Sequence, residues 1–246
     1  MQIERLAIRL RLCTPMQAAD IGVRLCQHSA ASVYRSYLLV LIPVAALCAA
    51  SVEISTSMPV LLLWWAKPWM DRTVLFALSR AAFGSDTRPR DLWAVQREVW
   101  WGQWWRTWTL RRLSASRACT QPIIQLEGQR GAGLRRRLRE LHGGRVAVAR
   151  LLTLVFSNVE FALGIACASL WFLFAPNDMN AWEALGRWYQ ESPMMAALGT
   201  AFIPYLLAVA FLEPFYVAAG FGIYLNRRVE LEAWDIEQDL RHAFAR

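Results

Sequence analysis

The sequence predicts an all-α protein, specifically a polytopic membrane protein with about four transmembrane helices plus interfacial amphipathic helices. Apolar residues make up 56% of the 246 residues and form long runs with few charges. The 13 tryptophans indicate membrane–water interfaces, where this residue is enriched. The mean hydropathy is only +0.25, so these runs share the chain with a large polar part. Arginine dominates that part, and its distribution predicts the topology.

Residues 1–35 are expected to form a cytoplasmic amphipathic N-terminal segment with two short helices. The second helix is predicted to begin at Thr14-Pro15, because a capping hydroxyl followed by proline is typical of a first helical turn. Five arginines against two acids favour the surface of an anionic membrane.

Residues 36–84 are predicted to hold the first two transmembrane helices. Residues 36–52 carry no charge, whereas the second span, Met58–Gly84, contains Lys67, Asp71 and Arg72. Each ionisable group inside a bilayer costs about 3 kcal/mol, so these groups need partners. Lys67 and Asp71 are four residues apart and able to pair on one helical face, whereas Arg72 needs a partner on another helix. Pro68 predicts a kink.

Residues 85–150 are expected to be a cytoplasmic, Arg/Trp-rich interfacial region. They hold 14 arginines against five acids, and the positive-inside rule therefore places both chain termini in the cytoplasm. Residues 91–113 are predicted to form one helix in the headgroup layer, because charges interrupt any full span. Pro122 is expected to break the helical pattern, and an arginine-rich helix follows. The predicted interfacial aromatic residues are Trp93, Trp100, Trp101, Trp104, Trp105 and Trp108. The predicted lipid-headgroup contacts are Arg97, Arg106, Arg111, Arg112, Arg135, Arg136, Arg137 and Arg139.

Arginines mixed with aromatic residues are also typical of nucleic-acid-binding segments. Here predicted membrane spans flank the basic region on both sides, which favours contact with lipid phosphates. We therefore expect anionic lipid headgroups as partners and no nucleic acid.

Residues 151–226 are predicted to hold the third and fourth transmembrane helices, joined by a short external loop at 177–192 that includes a short interfacial helix. The third span contains a single charge, Glu160, at a depth comparable with Lys67, and we expect Glu160 to pair with Lys67 or Arg72. The fourth span is predicted over 192–212. At Glu213-Pro214 the helix either bends or continues as a tilted, broken span. Residues 227–246 are expected to be a cytoplasmic amphipathic tail.

Five charged residues are thus predicted to form an intramembrane polar cluster: Lys67, Asp71, Arg72, Glu160 and Glu213. One interpretation is a functional polar site. The other, which we favour from the sequence, is a set of structural ion pairs that fix helix register.

Two segments carry a resemblance to a known group. Residues 214–241 contain Pro214, Tyr224, Arg227, Glu232 and Asp235 at the spacing of a closing motif, and residues 122–145 contain a glutamate followed by arginines. Together they resemble the membrane regions associated with bacterial glycerophosphodiester phosphodiesterases. Asn226 stands where that group usually has aspartate, and Ala233-Trp234 replace Gly-Phe. The resemblance implies a helical fold in the bacterial inner membrane. It does not indicate an activity, because the phosphodiesterase barrel of that group is absent from this sequence.

Signatures of catalysis are missing from the sequence. The three histidines lie far apart without metal-ligand spacing, and no phosphate-binding glycine loop or nucleophile elbow occurs. We therefore expect no enzyme, no metal and no cofactor. The first functional hypothesis is a non-enzymatic scaffold or subunit of a membrane complex, whose partners are other inner-membrane proteins or a second copy. The alternative is a small transporter or lipid-handling protein that uses the polar cluster.

Overall fold

The computed structural model describes residues 13–102, 116–142, 146–174 and 180–232. Over these ranges the chain is helical and contains no strand, so the predicted all-α class is confirmed. The described helices are α1 (Pro15–His28), α2 (Ala30–Ala50), α3 (Met58–Ala82), α4 (Pro89–Ala94), α5 (Arg117–Leu126), α6 (Gly131–His142), α7 (Val146–Ser169), α8 (Ala181–Glu191), α9 (Pro193–Ala197) and α10 (Ile203–Glu232).

The central element is α10, which α1, α2, α3, α5, α6 and α7 contact. A π-helical turn, Leu198–Phe202, joins it to α9, so that one helical element runs from Pro193 to Glu232. The sequence left open whether the chain bends at Pro214, and the structure continues the helix through this residue. Residues 216–226 are all buried, because other helices surround this half of α10.

Within the described ranges, three helical elements are long and apolar enough to cross a membrane: Ala30–Glu53, Val146–Leu173 and Pro193–Glu232. Helix α3 has 25 residues but buries Lys67, Asp71 and Arg72. It packs against α2 as a hairpin, and the connecting 3₁₀ turn, Ser51–Glu53, lies beside α9. The α2–α3 connection and the start of α9 therefore occupy the same end of the bundle.

Helix α1 packs closely on α10, which corrects the expectation of a purely interfacial segment. Ala18 and Gly22 on α1 face Ala218 and Gly222 on α10, a small-xxx-small spacing on both helices. A Cβ atom on Gly22 would overlap the carbonyl oxygen of Ala218, and one on Gly222 would overlap that of Ala18. The helix start predicted at Thr14-Pro15 is confirmed, since Thr14 caps α1 and forms a capping box with Gln17. Residues 1–12 lie outside the described residues.

The single helix predicted over 91–113 is wrong for its described part. Helix α4 ends at Ala94. A separate π-helical turn spans Arg97–Trp101, with Gly102 as its C-cap. Trp100 packs on α3, with its ring 5.7 Å from that of Trp69, and its indole N–H donates to Thr73 Oγ1 at 3.0 Å. Contact with α3 therefore determines the conformation here. Residues 103–115 lie outside the described residues.

Several boundaries also differ from prediction. The first span begins at Ala30 and the third at Val146, both earlier than expected. Pro122 lies inside α5 and does not break it. By contrast, the short helix expected within 177–192 is present as α8, which Asn180 caps at its N-terminus. Helix α10 extends to Glu232 and so includes the start of the predicted tail.

Candidate functional site

Four helices bring five charged side chains together inside the bundle. Lys67 Nζ on α3 lies 2.5 Å from Glu160 Oε2 on α7 and 2.7 Å from Glu213 Oε2 on α10. Arg117 Nη2, at the start of α5, lies 2.8 Å from Glu213 Oε1 and 3.2 Å from Asp71 Oδ2 on α3. The result is one continuous network, which we call the charge cluster. In order of contact its members are Glu160, Lys67, Glu213, Arg117 and Asp71.

The predicted pair between Glu160 and Lys67 is confirmed. Glu213 also joins the cluster, because it lies on the face of α10 that meets α3. The expected approach of Asp71 to Lys67 gives way to an ion pair with Arg117. The 3.6-residue period places Asp71 on one side of α3 and only partly determines which neighbour its carboxylate meets.

Arg72 does not belong to the charge cluster, which corrects the prediction. Its guanidinium donates to the carbonyl oxygens of Trp100, at 3.3 Å, and of Gly102. The physical reason is its position one residue after Asp71, about 100° further around the helix, where the connector after α4 approaches α3. Arg72 thus secures that connector.

Arg117 is the member of the cluster that the sequence analysis missed. It lies in a region that the arginine count assigned to the membrane surface, and its local sequence carries no signal of burial. The structure places it above the ring of Tyr216, with the guanidinium carbon 5.2 Å from the ring centroid. It holds two carboxylates that belong to different helices.

A cavity of about 730 Å³ lies between α3, α7 and α10 and reaches the charge cluster. Lys67, Arg117, Glu160 and Glu213 lie at its polar part. Most of the remaining lining is apolar or aromatic, including Trp64, Phe156, Phe161, Ile165 and Pro204. Ligand cavities in proteins commonly measure 300–1,000 Å³ and combine apolar walls with a few polar groups. The shape and chemistry therefore suit an amphipathic molecule.

A second ion network lies at the end of the bundle formed by α5, α6 and the last turns of α10. Glu127 accepts hydrogen bonds from Arg137 Nε at 2.7 Å and from the Tyr224 hydroxyl at 2.9 Å. Arg137 Nη2 and Arg228 Nη2 each lie 2.6 Å from Glu232. The hydrogen bond to Glu127 raises the pKa of Arg137 above its ordinary value. Residues from both motif-bearing segments thus contact each other, which gives them a structural role.

Asn226 has a structural role of its own. Its side-chain nitrogen donates to the carbonyl oxygen of Cys13 at 2.9 Å, and its side-chain oxygen accepts from the Cys13 backbone N–H at 3.3 Å. An ionised aspartate has no donor and could make only the second bond. The amide therefore suits this position, where it joins α10 to the chain before α1.

The predicted headgroup contacts are only partly placed. Arg97, Arg135, Arg136 and Arg139 are exposed. Arg137 is corrected, because it binds protein carboxylates. Trp93 and Trp101 are exposed, whereas Trp100 packs on α3. The remaining predicted residues, Arg106, Arg111, Arg112, Trp104, Trp105 and Trp108, lie outside the described residues.

The described part of the chain contains no group of three metal-ligating side chains. Comparison with models of known protein families, with curated proteins and with solved structures finds no match.

Proposed function

We propose that the protein is a non-enzymatic, multi-pass protein of the bacterial inner membrane that binds amphipathic molecules in the cavity between α3, α7 and α10. The observation that carries this proposal is the cavity itself, since it is apolar along most of its wall and charged at one place. Purely structural ion pairs need no adjoining space. This combination favours the transport or lipid-handling hypothesis over the scaffold hypothesis.

The proposed topology places both termini and residues 85–150 in the cytoplasm and makes α3 the second of four spans. Its support is the arginine excess of residues 85–150 together with the hairpin of α2 and α3, which returns the chain to the side where it began. The charges of α3 face other helices, as membrane helices require. Arg135, Arg136 and Arg139 are then available to contact anionic headgroups.

A cavity-filling variant tests the proposed binding. Gly164 lines the cavity, and a Cβ added there meets no atom within 4 Å, so Gly164→Trp should fill space without disturbing the fold. Gly186 on α8 is equally unobstructed but does not line the cavity, so Gly186→Trp is the matched control. After purification in mild detergent, native mass spectrometry should find bound lipid-like molecules on the original protein and the control. Equal retention by Gly164→Trp would contradict the proposal.

The second candidate function is that of a subunit in a membrane complex. It is favoured by α7, because no residue in the most apolar part of this element is buried by the rest of the chain. Crosslinking from Phe161, which is exposed on α7, distinguishes the two. If Phe161 forms a defined crosslink to a second membrane helix, and Gly164→Trp abolishes that crosslink, the subunit function is favoured.

A further inference from the structure

We propose that the cavity binds a lipophilic cation, and that its entry releases one proton held between Asp71 and Glu213. This inference rests on the proposed function, because it names the chemical class of the ligand for the same cavity. It follows from three features: the charge count of the cluster, the single arginine nitrogen that two of its carboxyl groups share and the chemistry of the cavity wall.

The first feature is that the cluster has one more carboxyl group than it has cations. Two cations, Lys67 and Arg117, face three acids, Asp71, Glu160 and Glu213. With every group ionised the cluster would carry one net negative charge in a site where Asp71 is 1% exposed and Glu213 2% exposed. An uncompensated charge at such a depth costs several kcal/mol, so a positive charge must be taken up.

The second feature shows where that positive charge lies. Asp71 Oδ2 and Glu213 Oε1 lie 3.2 and 2.8 Å from the same atom, Arg117 Nη2, so the two carboxyl groups meet at one cation. Asp71 Oδ2 forms an ion pair with Arg117, yet neither of its oxygens accepts a hydrogen bond from a described N–H or hydroxyl group. Two carboxyl groups form a hydrogen bond only when one of them carries a proton. One shared proton therefore balances the cluster.

Charged and titratable groups face the pair from every helix packed around it. They are Lys67 on α3, Arg117 on α5, Glu160 on α7, Tyr37 on α2, and Tyr205 and Tyr216 on α10. Arg72 is directed to the backbone of the connector after α4 and not to this pair. Two of the three acids already balance the charges of Lys67 and Arg117. The remaining carboxyl group is therefore the one that can exchange its proton for the charge of a ligand cation.

The third feature is the wall of the cavity. Glu160 is the most exposed of the three acids, with 14% of its side chain accessible, so an entering cation reaches it first. Trp64 and Phe161 line the same cavity, and aromatic faces attract desolvated cations. An anionic headgroup would instead add a negative charge that the balanced cluster does not neutralise. The cavity and the arginine-rich surface therefore select ligands of opposite sign.

The exchange balances in charge. Before entry, one proton and two protein cations neutralise three carboxyl groups. After entry, the ligand's cation takes the place of the proton, which leaves to solvent. No covalent bond forms. Where the pH is low enough for the proton to be bound, the affinity for the cation should fall about tenfold for each unit by which the pH decreases.

Calorimetry of the full chain in neutral-lipid nanodiscs tests this exchange, with tetraphenylphosphonium as the probe. Titrations at one pH in phosphate and in Tris, which differ in protonation enthalpy, count the protons released. We expect one proton per bound cation and at least tenfold weaker binding of tetraphenylborate, an anion of the same shape. Glu213→Gln should abolish proton release, and Asp71→Asn, the second variant, should do the same. Glu53→Gln, at an exposed position between α2 and α3, should change neither binding nor proton release.

The original protein alone decides the question if these variants fail to fold. Cation binding without proton release, or equally tight binding of tetraphenylborate, would overturn the inference. An uncharged dye, diphenylhexatriene, separates this result from failure of the proposed function. Binding of the dye that Gly164→Trp abolishes would keep the cavity as a ligand site while the cation inference fails. If no probe responds to Gly164→Trp, the proposed function fails as well.

Discussion

Removal of Lys67 should destabilise the protein more than simultaneous removal of Lys67 and Glu160. Lys67→Met leaves one cation, Arg117, against three acids and deprives Glu160 and Glu213 of a partner at 2.5 and 2.7 Å. Removing one partner from a buried pair costs about 3–5 kcal/mol. Glu160→Gln alone leaves Lys67 paired with Glu213 and should cost about 1.5–3 kcal/mol, the value of one charge-assisted hydrogen bond.

The double variant restores the original excess of one acid. We therefore expect Lys67→Met/Glu160→Gln to be more stable than Lys67→Met, which requires a coupling energy larger than the cost of Glu160→Gln alone, about 1.5–3 kcal/mol. The assay is reversible unfolding in mixed micelles by titration with dodecyl sulfate, followed by tryptophan fluorescence and circular dichroism.

An exposed ion pair supplies the control. Arg80 and Asp91 lie 3.2 Å apart, but about a third of each side chain is exposed, so the same cycle with alanine should give a coupling of at most about 1 kcal/mol. Additive losses for Lys67 and Glu160 would refute the reasoning, since they would mean that the two charges do not stabilise each other in the membrane.

Three further predictions concern other parts of the fold. Gly222→Leu should separate α1 from α10 and expose residues 15–28 to limited proteolysis, whereas Gly164→Ala should not, because its added Cβ meets no atom within 4 Å. Burial raises the pKa of Cys119 to about 12, so at pH 8 the thiol stays neutral, and mass spectrometry should find maleimide on it only after unfolding. Arg137→Ala should lower the unfolding midpoint by removing the partner of Glu127 and Glu232, while Arg135→Ala, at an exposed site on the same helix, should leave it unchanged.

The sequence predicted features that depend on composition along a single helix. Apolar runs with at most one charge located the first, third and fourth long elements. Matching depths predicted that Glu160 pairs with Lys67 or Arg72, and it contacts Lys67. Depth is predictable because each residue of a helix adds a fixed rise of about 1.5 Å. Two groups at equal depth in an apolar medium have few other partners to choose from.

Features that depend on which elements meet could not be predicted in this way. Arg117 occupies the place in the charge cluster that was expected of Arg72, because the helical period gives a direction around the axis and not the identity of the neighbour. The same limit applies to Trp100, since a stripe of aromatic residues looks alike whether it faces lipid or another helix. The packing of α1 was also missed, although Ala18 and Gly22 are the small residues that close helix contact requires.

The composition of the charge cluster argues against a purely structural role. Buried ion pairs often contribute little net stability, and apolar replacements of similar volume are frequently as stable or more so. A cluster that only fixed helix register would be least costly with equal numbers of acids and cations. The third acid adds a desolvation cost that no further cation among the described residues offsets, and the cluster adjoins a cavity wide enough for a ligand. A site that exchanges a proton for a bound cation needs this additional carboxylate, whereas a helix clamp does not.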